Sequence, residues 1–351
     1  MRIAVIDIAA RVGGAKSILM DFYKYVTART DDKNEWFFFV GKAFFEETSN
    51  IHVIVKPDVP KSWIKRLKYD QFDGKKDMRK VNPDIILNFQ NTCINYSGAQ
   101  QYLYIHQPIP FQQIKKYSFL KKEEFVYAVY QYVIGGMIKH SAKRANGIIV
   151  QTEWMKKEVG KYTDLEKIKV IPPTIEVDEQ LVHQETRISG KEFFFPAAYI
   201  IYKNHRAIAE AVRILNNEGY TDFEVLFTVE DTMHLDWSPC IKCVGSQSRD
   251  IIMDWYKSKI MIFPSYIETF GMPLAECRRL NGVVLAASTA FAHEILKDYE
   301  NAFYFPPFEP TELASMMKKA IEGKMVIKQT EPMCACSENT WGQVVNILEI
   351  D

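Results

Sequence analysis

Apolar runs of strand length alternate with stretches of helical spacing along most of the chain. A continuous apolar run suits a strand buried on both faces, as in a parallel sheet covered by its crossover helices. In the first half such runs fall at residues 2–8, 36–40, 51–55, 85–89, 101–105 and 147–151. The segment Lys169-Val170-Ile171-Pro172-Pro173 closes this series, because proline neither continues a helix nor donates to a sheet ladder. A second series runs 191–198, 223–229, 241–244, 260–263 and 283–286, with helices expected at about 204–217 and 271–280. Gly282 is read as supplying the turn into the strand that follows. The pattern predicts two doubly wound, Rossmann-like α/β domains facing one another across a cleft, with ligands outside the carboxyl ends of the strands. A polar stretch after Pro173 places the link, giving one domain over 1–172 and a second over 173–337.

Composition keeps that picture and narrows the chemistry. A chain of 351 residues exceeds what a single core usually organises. No apolar run reaches the roughly 18 residues of a membrane span, and Met1-Arg2-Ile3-Ala4-Val5-Ile6 reads as a buried strand rather than a signal peptide. Six thinly spread cysteines suit a reducing compartment, so the expected location is the cytoplasm. Lys+Arg and Asp+Glu balance at 44 each, but residues 1–172 hold 28 basic against 18 acidic and the remainder 16 against 26. Much of the excess lies between Lys61 and Lys80 and at Lys115, Lys116, Lys121 and Lys122. Such a half is expected to attract an anionic membrane surface or a phosphorylated acceptor, beside the plainer reading of solvated faces. Net neutrality and the lack of a nucleic-acid motif exclude a nucleic-acid partner from the expectation.

The most specific stretch is Phe263-Pro264-Ser265-Tyr266-Ile267-Glu268-Thr269-Phe270-Gly271-Met272-Pro273-Leu274-Ala275-Glu276. A strand delivers the chain to a loop, and the loop leads through Gly271 to a proline suited to a first helical turn. Backbone N–H groups and the helix dipole at such a start favour an anion. The two glutamates flank it, one on the loop and one in the helix, so they address two parts of one elongated ligand. Upstream, Phe195-Pro196-Ala197-Ala198-Tyr199-Ile200-Ile201-Tyr202-Lys203-Asn204-His205 opens the first helix of the second domain, where a lysine neutralises a diphosphate as a point charge. Gly13-Gly14, before Ala15-Lys16-Ser17, joins the first strand to a helix, and paired glycines permit close approach and positive φ. His106 ends the run 102–105 ahead of Gln107-Pro108-Ile109-Pro110 and is placed to line a cleft.

These motifs, in this order, resemble retaining glycosyltransferases of the GT-B fold, the family 4 group known as glycosyl transferases group 1, with its Glu-x7-Glu signature. The resemblance runs over nearly the whole chain, strongest from about 191 to 294. It implies Glu268 with Thr269 and the Phe270, Gly271 and Met272 backbone at the donor sugar, and Glu276 at the ribose. It further implies Lys203 at the diphosphate, Gly13 and Gly14 facing donor phosphate and acceptor, and His106 beside the transferred sugar. Catalytic roles are expected for Glu268, His106 and Lys203. Many members carry an arginine where Ala197 stands here, and Arg206 is the candidate replacement. Trp341 near the chain's end matches a final helix (about 338–351) that in relatives crosses back onto the first domain.

The expected activity is transfer of a hexose-type sugar from a nucleoside-diphosphate sugar to a hydroxyl of a saccharide or lipid-linked saccharide, in surface-polysaccharide or glycolipid assembly. The expected location is cytoplasmic, including the inner face of the membrane. No cofactor and no metal are expected: there is no Asp-x-Asp pair, and Cys240-Ile241-Lys242-Cys243 and Cys334-Ala335-Cys336 lack the second pair of a zinc site. An epimerase or phosphorylase on the same fold and a non-catalytic sugar-binding protein are the alternatives.

Overall fold

A computed structural model of the chain describes residues 1–10, 13–29, 33–182, 186–230, 237–328 and 340–350. The chain divides into two compact units, Met1–Pro173 with Glu338–Asp351, and Thr174–Ser337. In the first, β1 (Arg2–Asp7), β2 (Glu35–Val40), β3 (Ile51–Val55), β4 (Ile85–Asn88), β5 (Gln100–Tyr104), β6 (Gly147–Val150) and β7 (Ile168–Val170) form one sheet in the order β3-β2-β1-β4-β5-β6-β7. In the second, β8 (Glu192–Phe195), β9 (Glu224–Phe227), β10 (Ile241–Cys243), β11 (Ile260–Phe263), β12 (Val283–Ala287) and β13 (Ala302–Phe305) take the order β10-β9-β8-β11-β12-β13. Every pairing is parallel.

Two-residue periodicity explains why these apolar runs are strands. In β1 the side chains of Ile3 and Val5 enter a core with Phe22, Trp36, Phe38, Leu87 and Phe89, whereas Ala4 and Ile6 enter another with Phe37, Phe39, Met78 and Ile86. A strand wetted on one face would have alternated apolar with polar residues. The helix Thr340–Ile350 belongs to the first unit, where Val344, Val345 and Leu348 join the Ile3–Val5 core. The Trp341 ring packs within 5.2 Å of Phe22, 6.0 Å of Phe89 and 5.9 Å of Tyr104, centroid to centroid.

Two expectations need correcting. Gly282 directly precedes β12, as expected, but the left-handed residue of that turn is Asn281, at φ 55°. Glycine is required at 282 for proximity, since a Cβ there would lie 2.5 Å from the Tyr256 carbonyl oxygen and 2.8 Å from Cys277 Sγ. The Gly-Gly pair lies in the first turn of a helix rather than in the loop that joins it to β1. The helix Gly13–Ala28 begins at Gly13, and a Cβ on Gly14 would meet open space. The edge strand β13, Ala-Phe-Tyr-Phe, is not among the expected runs.

No helix among the described residues is long and apolar enough to cross a membrane. Trp341→Ala is expected to destabilise the first unit by about 3 kcal/mol, the usual scale for emptying a tryptophan site. Urea unfolding followed by circular dichroism checks it.

Candidate active site

In the second unit the strand order reverses between β8 and β11, which lie side by side. Chain leaving β8 turns one way and chain leaving β11 the other, so a crevice opens beyond their carboxyl ends. Lys203 comes from the first loop, on the short turn Ile201–Lys203, and Glu268 from the second. Their side chains form an ion pair, Nζ to Oε1 2.5 Å, with each side chain less than a fifth exposed. The Tyr266 amide donates to the Tyr202 carbonyl at 3.1 Å and ties the two loops together. Asn204, left-handed at φ 60°, adds a second tie by donating its side-chain amide to the carbonyls of Pro307 (2.8 Å) and Pro264 (3.4 Å). Asparagine tolerates that conformation better than most residues. The order of the site is thus written into backbone contacts as much as into the charged pair.

Beyond Glu268 the chain passes partly buried Thr269 and buried Phe270 to Gly271, whose φ of 93° strongly favours glycine. Gly271 caps the helix Met272–Arg279, with Pro273 in its first turn. In the next turn Glu276 is buried, 6% exposed. Its Oε2 accepts from the Tyr256 hydroxyl at 3.0 Å and its Oε1 from Arg249 Nη1 at 2.9 Å. Burial raises this carboxyl above its ordinary value, against the opposing pull of Arg249 and Tyr256. Arg249 also donates to the Glu176 carbonyl. Sequence reading missed both partners. Arg249 and Tyr256 stand seven apart on one helix face, Arg249–Ser258, which is visible in sequence; the helix they face is not.

On the β10 side of the same strand ends lies a cavity of about 620 Å³, lined by Ala197, Tyr199, Thr228, Glu230, Ser246 and Gln247 among others. Its walls are the loops after β8, β9 and β10, so it shares the edge of the sheet that carries Lys203 and Glu268. Its size falls within the range of small-molecule sites. Ala197 lines it without charge, and Arg206 is exposed in the first turn of the helix His205–Asn217.

In the first unit the candidates also collect at the carboxyl edge. Gly13 and Gly14 open the helix after β1, and His106 follows β5. Asn91, after β4 and left-handed at φ 66°, accepts from the backbone amides of His106 (2.8 Å) and Gln107 (3.1 Å). Its side-chain nitrogen lies 3.4 Å from His106 Nε2, while His106 Nδ1 is buried without a partner. Burial first, then the Arg66 cation, holds the imidazole down at about 4, so it is neutral near pH 7.

A buried acidic cluster unforeseen from sequence lies nearby. Arg66 donates to the Gln90 carbonyl, and Gln90 Nε2 and Thr92 Oγ1 each donate to Asp70 at 2.7 Å. Asp7, at the end of β1, is 1% exposed and burial pushes it up to about 7, with Arg66 and the Ala10 amide opposing. Among the described residues no group of three or more His, Cys, Asp or Glu is placed to hold a metal ion. The Cys334-Ala335-Cys336 motif lies outside the described residues; Cys240 precedes β10, Cys243 ends it, and neither is in a disulfide.

Residues 234–339 match the family model described as glycosyl transferases group 1. Sucrose-phosphate synthase from Thermosynechococcus elongatus is similar in structure at TM-score 0.66 and 13% identity, over 99% of this chain and 98% of that one. Anabaena HepE in complex with UDP and glucose gives 0.65 at 15% identity over 100% of both chains. WaaG, a glycosyltransferase involved in lipopolysaccharide biosynthesis, gives 0.65 at 12%, again over 100% of both. At such identities the likeness is one of fold. No curated protein matches the chain in sequence.

The pH dependence of stability tests the buried acid. An aspartate near 3.8 unfolded and about 7 folded binds its proton more tightly in the native state, so its contribution to stability falls as pH rises across that window. Asp7→Asn removes this term. The melting temperature of the variant relative to the parent is expected to climb from pH 4 to pH 8, read by differential scanning fluorimetry.

Proposed function

We propose that the chain, which shares the fold of GT-B glycosyltransferases and matches glycosyl transferases group 1 over residues 234–339, moves a hexose-type sugar from a nucleoside-diphosphate donor to an acceptor hydroxyl with retention of anomeric configuration. The observation that carries this reading is the Lys203–Glu268 pair at the switch-point crevice, beside a helix start and a cavity of small-molecule size. A diphosphate entering the crevice replaces Glu268 as the counterion of Lys203. Glu268 is then free to accept hydrogen bonds from sugar hydroxyls. The cavity takes the nucleoside, and Glu276 accepts from the ribose.

The difficult step is departure of the diphosphate while positive charge develops on the sugar ring. Lys203 and the amides at the Gly271–Met272 helix start stabilise the leaving group electrostatically, in place and without reorganisation. The reading needs neither a metal nor a covalent nucleophile. The acceptor attacks from the face the leaving group vacates, and its proton passes to the departing phosphate. His106, neutral at working pH, serves as a hydrogen-bonding group toward the sugar rather than a cation. Gly13 and Gly14 enter by resemblance as backbone close to phosphate and acceptor. Because the Anabaena neighbour is solved with UDP and glucose, uridine-diphosphate sugars are the first donors to test. WaaG's role in lipopolysaccharide assembly directs the acceptor search to lipid-linked saccharides at the inner membrane face.

The test begins with a melting-temperature screen against nucleoside diphosphates and their sugars, since a ligand of the folded state raises it by mass action. Transfer is then followed with the donor that binds. Glu268→Ala and Lys203→Ala are each expected to lower kcat by about 100-fold to 1,000-fold while the protein stays folded. Glu276→Gln is expected to act mainly on donor KM, by roughly tenfold. Undiminished turnover in Glu268→Ala, or release of a rearranged sugar from donor alone, defeats the proposal.

A further inference from the structure

The first unit carries an exposed surface that none of the chemistry above uses. The loop after β5 reaches a tip at Phe119-Leu120, and Leu120 is 97% exposed. Phe119, Phe125, Val126, Tyr132 and Val133 are each about half exposed beside it. The rings are gathered: Phe119 lies 6.1 Å from Phe125 and 5.7 Å from Tyr132. They contact one another at the surface instead of turning into the core. A second apolar group adjoins. Leu67 and Gln71 line one side of a cavity of about 290 Å³ whose other side includes Val133, Met137 and His140. The exposed Trp63, Ile64 and Phe72 belong to the same helical stretch as Leu67 and Gln71.

Charge says what this surface fits. Residues 61–80 and 112–144 together hold 15 Lys and Arg against 5 Asp and Glu. Of those acids, Asp70 and Glu124 are buried, and Asp73 and Asp77 are engaged by Lys68, Lys76 and Lys56. Apart from the exposed Glu123, what faces water is therefore mainly aromatic and aliphatic groups interleaved with lysine. Lysine is depleted in the cores of protein–protein interfaces. At a bilayer boundary the same combination is favourable, because apolar groups enter the acyl region while long basic side chains reach anionic headgroups.

We propose that this face docks onto an anionic lipid bilayer, with Phe119 and Leu120 inserting and the lysines of 61–80 and 115–122 contacting headgroups. The proposal gives the membrane-side acceptor of the previous section a physical basis, yet it stands on exposure and charge and is tested without any sugar. Its failure leaves the transfer reading untouched.

The experiment is vesicle flotation of the full chain with phosphatidylcholine alone and with phosphatidylcholine mixed with phosphatidylglycerol. The chain is expected to float with the mixed vesicles, to stay behind with the neutral ones, and to be released by high salt. The double substitution Phe119→Ser, Leu120→Ser is expected to weaken partitioning roughly tenfold or more. Both positions are exposed, and an unchanged melting temperature verifies folding. Equal flotation with both lipids, or flotation indifferent to the double substitution, overturns the proposal. So does a dimer in light scattering that the double substitution dissociates, because the patch is then a contact between copies.

Discussion

A parallel sheet covered on both faces can keep polar chemistry only at its ends, and this constraint orders both units. The strands are apolar on each side because each side meets helices, so the functional groups are pushed into the loops that leave the carboxyl edge. Where the strand order reverses, between β8 and β11, those loops diverge and two charged side chains meet in a partly desolvated place. A lone lysine or glutamate there would be costly, whereas the pair is tolerated. The tie through Asn204 to the loops after β11 and β13 fixes the geometry in which they meet. In the proposed function an anion entering this crevice exchanges with Glu268 rather than filling empty space, and its affinity reflects the difference between two partners of Lys203.

Much of this was legible in the sequence, for identifiable reasons. Apolar runs with strand length gave the buried strands, since period and burial are local consequences of residue type. The Glu268–Glu276 spacing, Gly271 and Pro273 placed a helix start after a strand, and the helix Met272–Arg279 lies there. Illegible parts depend on which elements become neighbours. Nothing near Glu276 in the chain announces Tyr256 and Arg249, which arrive from a different helix. Glycines misled in a specific way: Gly282 is needed because Tyr256 and Cys277 crowd it, and Gly13-Gly14 sits inside a helix start. A glycine reports that something is special without saying whether it is φ or space.

The first unit repeats the edge rule with another outcome. Its order reverses between β1 and β4, and the residues leaving those strands, Asp7 and Gln90, are buried rather than open to ligand. Arg66 comes close enough to oppose the desolvation of Asp7 and Asp70 but does not cancel it, and both remain above the ordinary carboxylate range. Burial depresses His106 and the same cation adds to it, so one arginine acts on three groups at this edge while desolvation is the larger cause at each. Near pH 7 Asp7, at about 7, is partly protonated and the imidazole, at about 4, is neutral, which lowers the net charge of the cluster. That is what a largely dry polar network requires.

Glu276 shows how the edge of the second unit differs. Its burial resembles that of Asp7, but it holds one hydrogen bond from a fixed phenol and one from an arginine whose side chain is half exposed. The Tyr256 bond orients the carboxylate from within the core. The Arg249 bond can be surrendered, because that guanidinium keeps access to water and to the Glu176 carbonyl. Oε1 is thus an acceptor already aimed and only partly committed, as the proposed ribose contact requires. Lys203 and Glu268 follow the same logic at the other end of the site. In both places a charged group is held by a partner that a ligand can replace, so the crevice never presents a buried charge alone.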